Sequence, residues 1–111
     1  ADSQTVQIPL KVISTYPKNY ATGCSRTATI YLKFSGNIKA STYWSKIYVK
    51  NKYGNKVSIS KSIYGNYLYI KTYKRASYSY YTVYIPYSAV KDYANNNLAK
   101  YYTFMFKTGK Y

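Results

Sequence analysis

Along most of this chain, side-chain character switches at every second residue. In RTATIYLKF, Ala28, Ile30, Leu32 and Phe34 fall on one side, with Thr29, Tyr31 and Lys33 on the other. KIYVK sets Ile47 and Val49 against Lys46, Tyr48 and Lys50. YLYIK sets Leu68 and Ile70 against Tyr67, Tyr69 and Lys71. YYTVYI sets Tyr81, Val83 and Ile85 against Tyr80, Thr82 and Tyr84, and YTFMF sets Tyr102, Phe104 and Phe106 against Thr103 and Met105. Successive side chains of an extended strand point to opposite faces, so this period reads as strands with one buried side and one wet side. The β-branched and aromatic residues suit such half-buried pleated surfaces.

The punctuation agrees with strands. Tyr53-Gly54-Asn55 and Tyr64-Gly65-Asn66 each separate two alternating runs, as hairpin turns would, because Gly and Asn tolerate positive φ. Pro17, Gly36-Asn37 and Pro86 mark further corners. The pattern predicts about seven strands: Pro9–Ser14, Arg26–Phe34, Lys46–Asn51, Val57–Ser62, Tyr67–Thr72, Tyr80–Ile85 and Tyr102–Thr108. Ile38–Ser45 and Tyr87–Tyr93 are expected to form short helical turns, the second capped by Ser88. In a chain of 111 residues this points to one all-β domain, an antiparallel β-sandwich, with a small closed barrel as the alternative. The domain is expected to span residues 8–111, behind a polar, flexible N-terminal segment at 1–7. The beginning ADSQTVQIPL has no basic stretch followed by an apolar one, so no signal peptide is expected. No apolar run approaches the ~20 residues of a membrane-spanning helix.

Composition excludes most chemistry. The chain has 17 Lys and Arg, two acids and no His, for a net charge of +15. Ser-His-Asp and Cys-His catalysis both need histidine. Paired-carboxylate catalysis needs two converging acids, and Asp2 falls in the N-terminal segment, which leaves Asp92 alone. Clustered Cys and His for zinc are missing, as are the several carboxylates that calcium prefers. No glycine motif for cradling phosphate occurs. The expectation is therefore no enzyme, no metal and no cofactor. The single Cys24 allows no internal disulfide and reads as a small buried or half-buried residue, with an intermolecular bridge as the minority alternative. A strong positive excess opposes compaction by self-repulsion and favours polyanionic surroundings.

The order of motifs resembles a known family. TYPKN closes the first strand, and Phe34, Ser35 and Ile38 match a Phe-Ser-x-x-Ile corner. Tyr81, Thr82 and Val83 match a Tyr-Thr-Val strand, followed by Asp92 and a turn before Leu98. Phe104, Phe106, Thr108 and Gly109 match a Phe-x-Phe-x-Thr-Gly ending. Over about Val12–Gly109 the chain resembles the bacterial immunoglobulin-like (Ig-like) domain of the S-layer-protein type, found also in adhesin-like surface proteins of methanogenic archaea. One departure is that Asn95, followed by Asn96, stands where the family turn carries Gly-Asn. Asn is the next best residue for a left-handed turn. The resemblance implies an Ig-like sandwich of about seven strands and a non-enzymatic extracellular module, at the cell surface or cell wall. Its neighbours would be further domains of the same surface protein.

The residues then divide by face. Tyr81, Phe104 and Phe106 fall inward and read as core, with Trp44 as a plug beside the Ile38 corner. Asp92 reads as a turn-fixing carboxylate. Tyr31, Lys33, Tyr48, Lys50, Tyr67, Tyr69, Lys71, Tyr80 and Tyr84 fall outward. As a solvated face, Tyr covers the sheet and Lys guards its edges. As a binding face, phenol rings stack on sugars while ammonium groups meet carboxylate, phosphate or sulfate. The expected partner is acidic cell-wall polysaccharide or another polyanion. The alternatives are a secreted basic protein binding nucleic acid non-specifically, and a spacer with no ligand. No motif for sequence-specific nucleic-acid recognition is present.

Overall fold

The computed structural model describes residues 9–111, so the expected loose segment Ala1–Gln7 lies outside the described residues. The alternating runs form a β-sandwich. One sheet has the order β1-β3-β7-β6, from Val12–Tyr16, Ile30–Phe34, Tyr67–Thr72 and Ile59–Tyr64. The facing sheet has the order β2-β10-β8-β5, from Ala21–Cys24, Tyr102–Thr108, Tyr80–Ile85 and Tyr48–Lys50. The pairings are antiparallel except for β2, which runs parallel to β10. A separate ribbon pairs β4 (Ile38–Ala40) with β9 (Val90–Asp92).

Alternation builds the core as the sequence predicts. Ile30, Leu32 and Phe34 of β3 and Leu68 and Ile70 of β7 meet Val49, Tyr81, Val83, Ile85, Phe104 and Phe106 of the other sheet, all buried. Each fully buried aliphatic or aromatic side chain contributes about 1.5–3 kcal/mol. Sandwiching both apolar faces is what makes the short strands stable together.

Three expectations need correction. Ten strands form among the described residues, not about seven. The segment 87–93 is not helical: a turn closes with Ala89 N–H donating to Pro86 O at 3.1 Å, and strand β9 follows, so Ser88 caps nothing. Likewise Ile38–Ala40 is a strand, and only Trp44–Lys46 forms a 3-10 turn. Of the two Tyr-Gly-Asn turns, Gly65-Asn66 closes a hairpin between β6 and β7, with Tyr64 facing Tyr67. Gly65 has φ +61° and Asn66 has no positive φ, the pattern of a type II′ turn. Gly54-Asn55 sits instead where the chain crosses between sheets, held by a short bridge of Lys50 to Lys56. Among the described residues, no helix is long and apolar enough to cross a membrane.

Candidate functional site

Cross-strand register decides which outward side chains meet. On β5 and β8, Tyr48 faces Tyr84 and Lys50 faces Thr82. On β8 and β10, Tyr84 faces Thr103, Thr82 faces Met105 and Tyr80 faces Lys107. These residues share the outer face of the β2-β10-β8-β5 sheet, because their neighbours Val49, Val83, Phe104 and Phe106 point into the core. The rings of Tyr48 and Tyr84 stack at 4.9 Å with planes 18° apart, and Tyr101 leans on Tyr84 at 5.5 Å. Lys50 and Lys56 each bring an ammonium to 5.0 Å from the centroid of Tyr48. Lys107 lies 5.5 Å from that of Tyr80. Cation–π attraction of this kind contributes about 0.5–1 kcal/mol per exposed contact and holds the amines over the rings.

Between these walls lies an open groove of about 490 Å³, with Thr82, Thr103 and Met105 on its floor and Lys50, Lys52 and the Gly54 backbone at its β5 end. A second hollow of about 250 Å³ shares Thr82, Thr103 and Met105 and extends the groove to Asn19 and Tyr20. The loop carrying those two residues is tied down by Tyr20 N–H donating to Met105 O at 2.7 Å and Met105 N–H donating to Asn19 Oδ1 at 3.0 Å. The groove thus combines phenol faces, hydroxyls and several ammonium groups. No carboxylate lines it.

The other outward residues form a different surface. Tyr31, Lys33, Tyr67 and Tyr69 lie on the outer face of β3 and β7, on the opposite side of the sandwich, joined by Tyr16 of β1. Tyr16 stacks on Tyr31 at 5.5 Å, Tyr67 stacks on Tyr69 at 5.8 Å, and Lys33 lies 6.0 Å from Tyr67. Rings here use their faces on one another, as Tyr48 and Tyr84 do in the groove. Lys71 follows on the same strand but lines a smaller hollow near Ser58 and Tyr73. The nine outward candidates therefore belong to two faces, with Tyr48, Lys50, Tyr80 and Tyr84 alone at the groove.

The remaining candidates have structural partners. The Tyr81 hydroxyl accepts from Ala76 N–H at 2.8 Å, and the ring stacks on Phe106. Trp44 is half-buried against the core edge rather than enclosed in it. Asp92 Oδ1 accepts from the N–H groups of Ala94 and Asn96, and Oδ2 from Asn96 Nδ2. Those bonds, that from the Asn96 backbone foremost, hold its pKa below the ordinary 3.8. Asn95, within this turn, has φ +65°. Arg75, which alternation does not reveal, is buried at one end of the core. Its one sequence signal is rarity: two of the 17 cationic residues are Arg, at 26 and 75, and Arg26 Nε donates to Arg75 O at 2.6 Å. Among the described residues, no group of three His, Cys, Asp or Glu gathers closely enough to hold a metal ion.

A family profile described as bacterial Ig-like domain matches residues 6–108. No curated protein sequence matches the chain. Among solved structures, CopC from Methylosinus trichosporium superposes with TM-score 0.69 at 12% identity, covering 90% of this chain and 93% of that one. PcoC, a copper resistance protein from Escherichia coli, gives 0.61 at 13% identity, with 88% and 98% covered. Native alpha-2-macroglobulin from Escherichia coli gives 0.69 at 20% identity. That likeness covers 97% of this chain but 34% of that one, which spans domains MG0-NIE-MG1. At these identities the likeness is one of fold.

Proposed function

The chain belongs to the bacterial Ig-like domain family, and from that premise we propose that it is a non-catalytic module of an S-layer or adhesin-like cell-surface protein that holds acidic cell-wall polysaccharide in the groove over β5, β8 and β10. The observation that carries this reading is the groove itself. Tyr80 and the edges of the stacked Tyr48–Tyr84 pair offer aromatic surface to sugar rings, while Lys50, Lys52 and Lys56 stand where a polymer's carboxylates or phosphates would lie. A shallow, open groove suits a chain-like ligand running across the sheet. The extracellular setting and neighbouring domains of the same protein are part of the proposal. The tyrosine face on β3 and β7 then serves as sheet cover rather than as the site.

Copper, which the fold relative PcoC is named for resisting, is not favoured as a ligand of this chain. It has no histidine, and the described residues gather no metal-ligand cluster.

The test is retention of the protein on isolated cell-wall polymer and on DNA, at low salt and at ~0.5 M salt, where electrostatic attraction is strongly screened. Retention on wall polymer that survives salt, and that falls about tenfold in affinity for Tyr48→Ser with Tyr84→Ser, is expected; one tenfold step is about 1.4 kcal/mol, within the range of a lost ring stack. Equal loss from Tyr67→Ser with Tyr69→Ser would move the site to the other face. Binding to DNA alone, lost in high salt, would replace the polysaccharide with nucleic acid, and no binding to either would leave a spacer.

A further inference from the structure

Arg75 is 3% exposed, yet it has no charged partner among the described residues, whose one side-chain carboxylate, Asp92, is held within the β9 turn. Its Nη1 donates to Thr72 Oγ1 at 2.9 Å, and its Nη2 donates to Ser25 O at 2.9 Å and Ala28 O at 2.7 Å. The guanidinium carbon lies 5.5 Å from the Phe106 ring centroid. Nε is buried with no acceptor. Carbonyl and hydroxyl partners orient the cation without balancing its charge, and an unbalanced buried charge is costly. Burial accordingly lowers the Arg75 pKa, with nearby Tyr81, Cys24 and Tyr16 acting in the opposite sense.

Beside this cation the fold leaves room. A hollow of about 240 Å³ is lined by Arg75, Lys74, Thr72, Ser58 and Tyr81. A second of about 230 Å³ shares Ser58 and Thr72 and adds Lys71 and Ser60. Together they form a two-lobed cleft beside β6, the edge strand of its sheet. Three cations and five hydroxyl-bearing side chains line it, and no carboxylate does. This cleft is separate from the aromatic groove, with which it shares no lining residue.

We infer that the cleft is a binding site for one small oxyanion (phosphate, sulfate or a carboxylate), which supplies the countercharge that Arg75 lacks. The anion is met by the Lys74 ammonium and the Ser58 hydroxyl, with Arg75 behind them; the Thr72 hydroxyl, which accepts from Arg75 and donates to Tyr73 O at 2.8 Å, orients the guanidinium. Lys71 in the neighbouring lobe draws it in. The recognition is that of Lys and hydroxyl donors converging on an oxyanion against a fixed guanidinium.

Melting temperature is measured against added inorganic phosphate, sulfate or acetate, each compared with chloride at matched ionic strength. A rise that saturates for at least one oxyanion is expected, and the arm that saturates identifies the chemistry. Lys74→Gln and Ser58→Leu, at exposed positions on the cleft wall, should weaken apparent affinity about tenfold or more while leaving the melting temperature in chloride nearly unchanged. Tyr48→Ser with Tyr84→Ser should leave the oxyanion response intact, which keeps this test distinct from that of the groove. A response that never saturates, or one unchanged in both cleft variants, overturns the inference, as does no response at all.

Discussion

The Lys61 ammonium lies 4.9 Å from the ring centroid of Trp44 and donates to that residue's own carbonyl oxygen at 2.6 Å. Lys61 belongs to β6, an edge strand, and faces inward, in register with the buried Ile70. An inward charge on an edge strand opposes pairing with a second chain, and here it also joins β6 to the 3-10 turn at Trp44–Lys46. Partial burial lowers the Lys61 pKa. Lys61→Ala is expected to cost about 1–2 kcal/mol, from one charge-assisted hydrogen bond and one cation–π contact. The denaturant midpoint should fall accordingly, and the variant should associate more readily at high concentration, as light scattering would show. An unchanged midpoint would mean that the contact is not energetically coupled to the fold.

Asp92 gives the fold an acid-sensitive turn. Its three accepted hydrogen bonds favour the carboxylate, so its folded pKa lies below 3.8. A carboxyl depressed in this way stabilises the folded state above its ordinary pKa, and that contribution is lost as pH falls through the folded value. Wild-type stability should therefore decline below about pH 3.8. In Asp92→Ala the midpoint at neutral pH should be lower and the part of the acid decline due to this residue should vanish. Parallel pH profiles for the two proteins would contradict the assignment.

The two glycines at 36 and 109 make a controlled pair. A Cβ added to Gly109 would stand 3.1 Å from Gly23 Cα and 3.2 Å from Gly23 C, where β2 runs beside β10. A Cβ on Gly36 would meet nothing within 4 Å. Gly109→Ala is expected to cost about 1–3 kcal/mol by overpacking against backbone. Gly36→Ala should be neutral or slightly stabilising, since it restricts the unfolded chain. Thermal unfolding of the two variants measures the difference, and equal melting temperatures would show that the β2–β10 contact yields without strain.

What could be read from the sequence follows from the range of each signal. The phases of β3, β5, β7, β8 and β10 were legible because aliphatic and polar residues alternate within each run, and Ile30, Leu68, Val83 and Phe106 are buried as that alternation requires. Strands β2, β4 and β9 are three or four residues long and, unlike the equally short β5 with Lys46 and Ile47 before it, have no flanking residues that extend an alternation; β4 finds its partner some fifty residues away. Their existence depends on pairing, which is a property of the whole fold. The same limit governs the groove. Alternation places Tyr48, Tyr31, Tyr69 and Tyr84 outward, but only the register that sets Tyr48 against Tyr84 and Tyr31 against Tyr69 separates them into two faces. Arg75 escaped because it sits in a polar stretch between strands and is buried by the backbone carbonyls of Ser25 and Ala28, some fifty residues earlier.

Tyr78 is a residue whose backbone works against its side chain. It has φ +50°, in the left-handed region that suits Gly and Asn, and its ring is 61% exposed. Its N–H donates to Gly109 O at 3.1 Å, just before β8 begins, so the local conformation is held by the join to the end of β10. The left-handed conformation costs a bulky side chain about 1–2 kcal/mol, whereas Asn visits it readily. An exposed ring has little burial energy to lose. Tyr78→Asn is therefore expected to raise stability by about 0.5–1 kcal/mol, a few degrees in melting temperature for a domain of this size. Tyr78→Val, with β-branching that the same φ rejects, should do the opposite. If both substitutions lower the melting temperature alike, the Tyr78 ring makes a stabilising contact that outweighs the strain of its backbone.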